Sequence, residues 1–200
     1  MSEIERALRA AAPAEEVEEA VANFLRRAER EGPAEVAYAE ADSPLGILLV
    51  AVTPRGLVRL AYPNEGEDEV LGELAAGVSP RILRLEGKTD DVRRELGEYF
   101  EGRRRRFEVP VDWALTRGFT RKVLRATARI PYGALRTYRE VASRAGNERA
   151  YRAAGNALGS NPIPIVVPCH RVVHTGGGLG GYTGGLERKE FLLELEGALE

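Results

Sequence analysis

Cys169 is the only cysteine in a chain of 200 residues, and it stands directly before His170, one of only two histidines. The surrounding text reads GSNPIPIVVPCHRVV, with prolines at 162, 164 and 168. Each proline fixes its own φ and biases the residue before it toward extended geometry, which predicts a taut backbone from Asn161 to Cys169. A nucleophilic thiol needs a depressed pKa, which a histidine, a carboxylate relay and a polar orienting group can supply. His170 is adjacent, Asn161 opens the proline-rich run, and Glu196 ends a helix that could fold back. On an extended segment neighbouring side chains point to opposite sides, so an intervening water is the expected link between Cys169 and His170.

The same residues have other uses. A lone cysteine also serves as a small buried hydrophobe. Cys169, His170 and His174 could give a metal at most three ligands, at none of the usual spacings, and His174 reads more simply as an exposed loop histidine. One cysteine forms neither an internal disulfide nor a multi-cysteine zinc cluster. Neither metal nor cofactor is expected.

The 44% hydrophobic fraction supports real cores, so the chain reads as globular. No apolar leader opens the sequence and no stretch approaches about 18 uninterrupted apolar residues, so a cytoplasmic protein with no membrane contact is expected. The net charge is only −2, but it is segregated. Residues 117–161 hold ten basic side chains against Glu140 and Glu148, an excess of eight that leaves the remainder at −10. A phosphate-facing surface has that character, as does a solvated arginine-rich helical face.

The elements that must position the thiol follow from periodicity. Residues 14–30 form an amphipathic helix with Val17, Ala20, Val21, Phe24 and Leu25 on one face. AEVAYAEA, GILLVAV and GLVRLAYP, between 34 and 62, read as an antiparallel meander. DDVRRELGEYFEGRRRRF is a helix ending near Gly102, followed by an exposed basic turn and a passage between halves at 110–118. FTRKVLRATARI is helical until PYG at 131–133 breaks it. Two short helices joined at Gly146 come next, the second with Asn147 as its expected N-cap. Such a pair is a helix-turn-helix candidate, and also what any helical hairpin looks like. Ala150, Ala153, Ala154, Gly155 and Ala157 give the second helix little bulk, so its backbone could approach another surface closely. A glycine-rich loop around Tyr182 leads into a last helix expected to turn Leu186, Leu192 and Leu193 inward and to stop at Gly197.

The run from about 119 to 197 resembles the O6-alkylguanine-DNA alkyltransferase family. The resemblance rests on IPYG, TYREVASRAGN, RAAGNALGSNPIPIVVPCHRVV and GGYTGGLERKEFLLELEG, with PCHRV between an upstream NP and a downstream GYTGGL as its most specific part. DSPLGILLVAVTPRGLVRLAYP is similar to the family's N-terminal sheet. The implied fold is α+β: a small antiparallel, RNase H-like sheet with helices, then a mainly helical domain containing the helix-turn-helix. Residues 1–32 form a leader outside the family's minimal plan, with domains at 33–112 and 113–200.

The resemblance implies direct-reversal DNA repair, with one alkyl group moved from the O6 atom of guanine, or from alkylthymine, to Cys169. His170 would act as base through a water, oriented by Glu196, with Asn161 holding the turn. Tyr138 would crowd the target phosphate and donate to guanine N3, and Arg152 would replace the flipped base in the stack. Asn147, Ala150, Ala153 and Ala154 would lie against the groove. The carbonyls of Cys169 and Val172 would receive the exocyclic amine, Tyr182 would wall the pocket, and the Thr183 backbone, where many relatives have serine, would donate toward O6. Thr120 and Leu124 replace the glutamine and tryptophan common in bacterial members. The implied partner is double-stranded DNA carrying alkylated bases, met by a monomer in the cytoplasm at the nucleoid. A lesion-binding module without transfer would lack the cysteine, and a cysteine hydrolase would turn over repeatedly.

Overall fold

The computed structural model describes residues 35–199; the helix expected at 14–30 lies outside them. Strands β1 (Val36–Ala41), β2 (Leu48–Thr53) and β3 (Gly56–Ala61) form the expected meander. A short strand β4 (Ile82–Arg84) then adds to the far side of β1, giving the order β3-β2-β1-β4. The sheet is mixed, because β4 runs parallel to β1 while the other pairs are antiparallel. Helix α1 (Glu67–Gly77) lies between β3 and β4 in sequence and returns the chain for the parallel pairing.

The two middle strands are buried along most of their length, and Leu48, Val50 and Ala51 are fully enclosed. Three acids, Glu67, Asp68 and Glu69, sit in the first turn of α1, where the helix dipole favours negative charge. Val70 and Leu74, one turn apart, pack with Val36, Ala51 and Val58 of the sheet. Each such side chain contributes about 1.5–3 kcal/mol by leaving water. In α2 (Asp90–Phe100), Val92, Leu96 and Tyr99 recur at helical spacing and are all buried.

The passage after α2 is stitched to the sheet edge. Leu57 N–H donates to Pro110 O at 2.8 Å, and Asp112 N–H returns a bond to Leu57 O at 2.8 Å. Gly56 allows this approach: a Cβ there would lie 2.1 Å from Pro110 O, and its φ is +129°. Farther along β3, Leu60 N–H donates to Pro162 O at 2.9 Å, so the same edge also anchors the proline-rich run.

Helices α3 (Gly118–Thr127), α4 (Tyr138–Arg144) and α5 (Tyr151–Gly159) pack together, with α4 and α5 as the helix-turn-helix. A reciprocal Thr137–Glu140 capping box starts α4. Gly146, at φ +96°, ends it with the Asn147 N–H bonded to Ala142 O at 2.9 Å. Asn147 is not the expected side-chain cap: it precedes a 3₁₀ turn, Glu148–Ala150, and makes no capping bond, while α5 starts only at Tyr151. A two-residue parallel pairing joins β5 (Arg136–Thr137) to β6 (Val172–Val173). Helix α6 (Leu186–Leu195) closes the fold with Leu192 and Leu193 buried, but Leu186 is 51% exposed. As the first helical residue, it lies beyond the contact that covers the later turns.

Candidate active site

The run from Asn161 to Cys169 is a compact turn, not the taut extended segment that its prolines suggested. The physical reason lies in which residues the prolines constrain. Prolines 162, 164 and 168 restrict themselves and Asn161, Ile163 and Val167 before them, leaving only Ile165 and Val166 unconstrained ahead of Cys169. The chain turns there: Ile165 takes φ +70°, and Val167 N–H donates to Ile163 O at 2.9 Å. A branched residue at positive φ costs about 1–3 kcal/mol, and complete burial of Ile165 helps hold it in place.

Asn161 ties the turn to the thiol. Its Nδ2 donates to Val167 O at 2.8 Å and to Cys169 Sγ at 3.1 Å, while its Oδ1 accepts from Ile163 N–H at 3.1 Å. Cys169–Arg171 form a 3₁₀ turn, so Cys169 and His170 do not alternate across an extended strand. They still do not bond to each other. His170 Nε2 faces Glu196 Oε1 at 2.8 Å, and its buried Nδ1 has no hydrogen-bond partner among the described residues.

Glu196, at the end of α6, gathers five donors. Oε1 receives His170 Nε2, Arg171 Nη2 at 2.8 Å and Tyr99 Oη at 2.7 Å. Oε2 receives Arg171 Nε at 2.8 Å and Gly133 N–H at 3.2 Å. Burial works to raise this carboxyl, but hydrogen bonds from His170 and Arg171 outweigh it and hold it at about 2. Burial pushes the Cys169 thiol up, opposed by the Asn161 hydrogen bond and the Lys189 charge. Burial pushes His170 down, opposed by Glu196. Burial thus favours the neutral form of both groups, and the depressed thiol pKa that the adjacent histidine suggested is not found.

Cys169 opens onto a cavity of about 760 Å³ bounded by Tyr138, Arg152, Tyr182 and Thr183. His174 is exposed as expected, but it also lines this cavity, its ring 5.0 Å from that of Tyr138. Above them lies Gly180, where a Cβ would stand 2.6 Å from Tyr138 Oη, so the glycine loop crosses at backbone distance. Thr183 Oγ1 donates to Gly159 O at 2.7 Å, fastening the loop to the end of α5. Val172 N–H donates to Cys169 O, and Val172 O accepts from Lys189 Nζ at 2.6 Å, leaving each carbonyl a second lone pair.

On the helix pair, Arg152 is exposed at the cavity rim, with its guanidinium 5.6 Å from the centre of the Tyr151 ring. Arg139 approaches the same ring at 5.6 Å. Asn147 and Ala153 are exposed and Ala150 is half-buried. Ala154 is completely buried, so its side chain faces the helix core and cannot lie against a groove.

Sequence reasoning missed Arg171, Lys189, Tyr62 and Tyr99. Lys189 is buried, its ammonium bonded to Val172 O and Leu179 O, and burial lowers its pKa to about 8. A signal existed: Lys189 lies three and four residues before the inward Leu192 and Leu193, on the same helical stripe. Tyr99 likewise continues the stripe of Val92 and Leu96.

The model for the 6-O-methylguanine DNA methyltransferase DNA binding domain matches residues 118–198, and that for the ribonuclease-like domain of the same protein matches 36–113. The chain belongs to the 6-O-methylguanine DNA methyltransferase family. It is 40% identical to the inducible methylated-DNA–protein-cysteine methyltransferase of Bacillus subtilis over 149 residues, covering 74% of this chain and 82% of that protein. The methylated-DNA–protein-cysteine methyltransferase of Methanosarcina acetivorans is 39% identical over 161 residues, 80% of this chain and 98% of the relative. Among solved structures, Mycobacterium tuberculosis OGT in complex with DNA matches with a TM-score of 0.69 and 36% identity, covering 81% of this chain and 93% of that one.

Proposed function

We propose that this protein repairs alkylated DNA by moving the alkyl group from O6-alkylguanine, or from alkylthymine, onto Cys169, once per molecule. The observation that carries this reading is the placement of Cys169 Sγ, held by Asn161 at 3.1 Å and opening onto a cavity whose rim carries the helix-turn-helix residue Arg152. A base inside a duplex is out of reach, so the target flips into the cavity and Arg152 fills its place in the stack. Asn147, Ala150 and Ala153 lie along the groove, and the ten basic residues of 117–161 supply phosphate contacts.

The step is an in-line displacement. The thiol proton passes through a water to His170 Nδ1, the sulfur forms its bond to the alkyl carbon, and the carbon–O6 bond breaks. Charge developing on guanine is met by Tyr138 at N3 and by the Thr183 N–H at O6, while the Cys169 and Val172 carbonyls receive the exocyclic amine. Tyr182 walls the base. The leaving guanine takes up one proton and the imidazolium returns one, so charge balances. The thioether is stable, and the protein acts once.

In this reading residues 33–112 form the N-terminal domain, 113–200 form the transferase domain, and the protein works as a monomer in the cytoplasm at the nucleoid. No described helix is long and apolar enough to cross a membrane. The test mixes the full chain with a duplex carrying one O6-methylguanine and reads protein mass. One methyl per molecule on Cys169, absent in Cys169→Ser while duplex binding persists, is the expected result. Continued turnover without a modified cysteine would make the protein a hydrolase, and binding with no mass change a lesion-recognition module.

A further inference from the structure

We propose that Tyr99 is a positioning residue of the transfer reaction: its hydroxyl holds the Glu196 carboxylate as a pure acceptor, so that the proton leaving Cys169 stops on His170. This rests on the reading just given, in which His170 is the base. Tyr99 belongs to α2 in the first half of the chain, 97 residues before Glu196, and its bond carries the first half into the reactive centre.

Packing alone does not call for the hydroxyl. The fully buried ring lies 5.4 Å from Phe100, 5.3 Å from Phe107 and 6.1 Å from Tyr132, contacts that a phenylalanine would keep. The phenolic oxygen reaches past them to Glu196 Oε1 at 2.7 Å, the same atom that faces His170 Nε2. Each hydrogen bond a carboxylate accepts draws charge from it, and Glu196 accepts five, three of them on the Oε1 that faces His170. So saturated, it is a weak base, and the imidazole keeps its Nε2 proton when Nδ1 takes a second one.

The groups around this contact are Glu196, His170 and Arg171, with Tyr132 and Arg105 on the outer side and Lys189, Cys169 and Tyr182 on the inner side. Burial, then the Glu196 charge, pushes the Tyr99 phenol far above its ordinary value, so it stays a donor at every working pH. Without it, Glu196 keeps four donors and pulls harder on the Nε2 proton. His170 then holds a proton to higher pH, and less of it is free to act as base on the acid side of neutrality.

The experiment is the single-turnover rate of the full chain on an O6-methylguanine duplex, measured from pH 5 to 9, for Tyr99 and for Tyr99→Phe. The phenylalanine variant is expected to have its acid limb moved up by about half a unit to one unit, which makes it about 3–10-fold slower at pH values on that limb and leaves the rate largely unchanged above it. A merely structural role would lower the plateau and leave the limb in place, and that outcome overturns the proposal. If Tyr99→Phe does not fold, a ring-fluorinated tyrosine installed at 99 keeps the bond with a stronger donor. Its acid limb must then move down, and no movement or the opposite movement overturns the proposal equally. Failure of the unsubstituted protein to alkylate Cys169 would instead remove the underlying reading, which separates the two failures.

Discussion

The hydroxyls of Tyr62 and Tyr182 meet at 2.6 Å, although 120 residues separate them in the chain. Tyr62 follows β3 in the first half, and Tyr182 stands on the glycine loop that walls the cavity. The first half therefore touches the centre at two places, through Tyr62 at the pocket wall and Tyr99 at the carboxylate.

Tyr62→Phe tests the first of these links. The ring packs under Arg188, 5.0 Å away, and against Gly184, where a Cβ would come within 2.7 Å of it. Phenylalanine keeps both contacts and removes only the hydroxyl, leaving that of Tyr182 without its partner. The loss should cost about 1 kcal/mol, or about 2–4 °C in melting temperature for a chain of this size. An unchanged thermal melt would show that Tyr182 finds another partner.

How much of this was legible in the sequence depends on how far apart the partners lie. Asn161, Cys169 and His170 share one short run, and Glu196 closes a helix recognisable from Gly197, so the reactive set could be assembled from local text. Tyr62 and Tyr99 could not be assigned partners, because contacts across 120 and 97 residues exist only once the halves pack. The meander and the helix-turn-helix were legible from periodicity and from Gly146. The parallel β4 was not, since three residues carry no period of their own. Ala154 was misplaced because alanine and glycine fill α5 on every side, which hides the face that turns inward. The proline run misled in a specific way: its constraints skip Ile165 and Val166, where the chain turns.

The Glu196 carboxyl should make stability depend on acid. Burial opposes ionisation, the His170 and Arg171 hydrogen bonds outweigh it, and the folded value of about 2 lies below the ordinary 4.5. Between those values the unfolded chain binds more protons than the folded one, so stability rises with pH through that window. The contribution is fully present above about 4.5 and is lost as pH falls toward about 2. Glu196→Gln should remove this part of the pH dependence. It should also lower overall stability by leaving Arg171 buried without its counter-charge, and slow transfer about 10²–10⁴-fold. Melts of both proteins from pH 2 to 6 provide the comparison; parallel curves would mean that the acid sensitivity lies in other carboxylates.

Arg152→Ala should separate flipping from chemistry. Its guanidinium is exposed at the cavity rim beside Tyr151 and makes no contact with the thiol or its network. A side chain that fills the gap left by an extrahelical base has no task when the substrate is a free base. Duplex transfer should fall by at least tenfold while transfer from free O6-benzylguanine stays within about twofold, as expected for a change outside the chemistry. Equal losses on both would take Arg152 out of the stack.

Alkylation should weaken the folded state. Cys169 is 5% exposed and its sulfur receives the Asn161 Nδ2 hydrogen bond at 3.1 Å, while His170 and Glu196 stand arranged around a proton that the thioether no longer has. A methyl group on that sulfur makes it a poorer acceptor for Asn161, and it must share space with the Val167–Cys169 turn that the same amide holds through Val167 O. Overpacking of this kind costs about 1–3 kcal/mol, and loss of a buried acceptor adds a similar amount. For a chain of this size, at about 2–4 °C per kcal/mol, the melting temperature should fall by about 4–24 °C. A benzyl group, lying in the cavity of about 760 Å³ against Tyr138 and Tyr182, should lower it at least as far, because the cavity accepts the ring but does not restore the Asn161 bond. Melts of unreacted, methylated and benzylated protein, each with its stoichiometry fixed by mass, measure the difference. Equal melting temperatures for all three would mean that Asn161 holds the turn without help from the sulfur, and that the strain at Ile165 is balanced by burial alone.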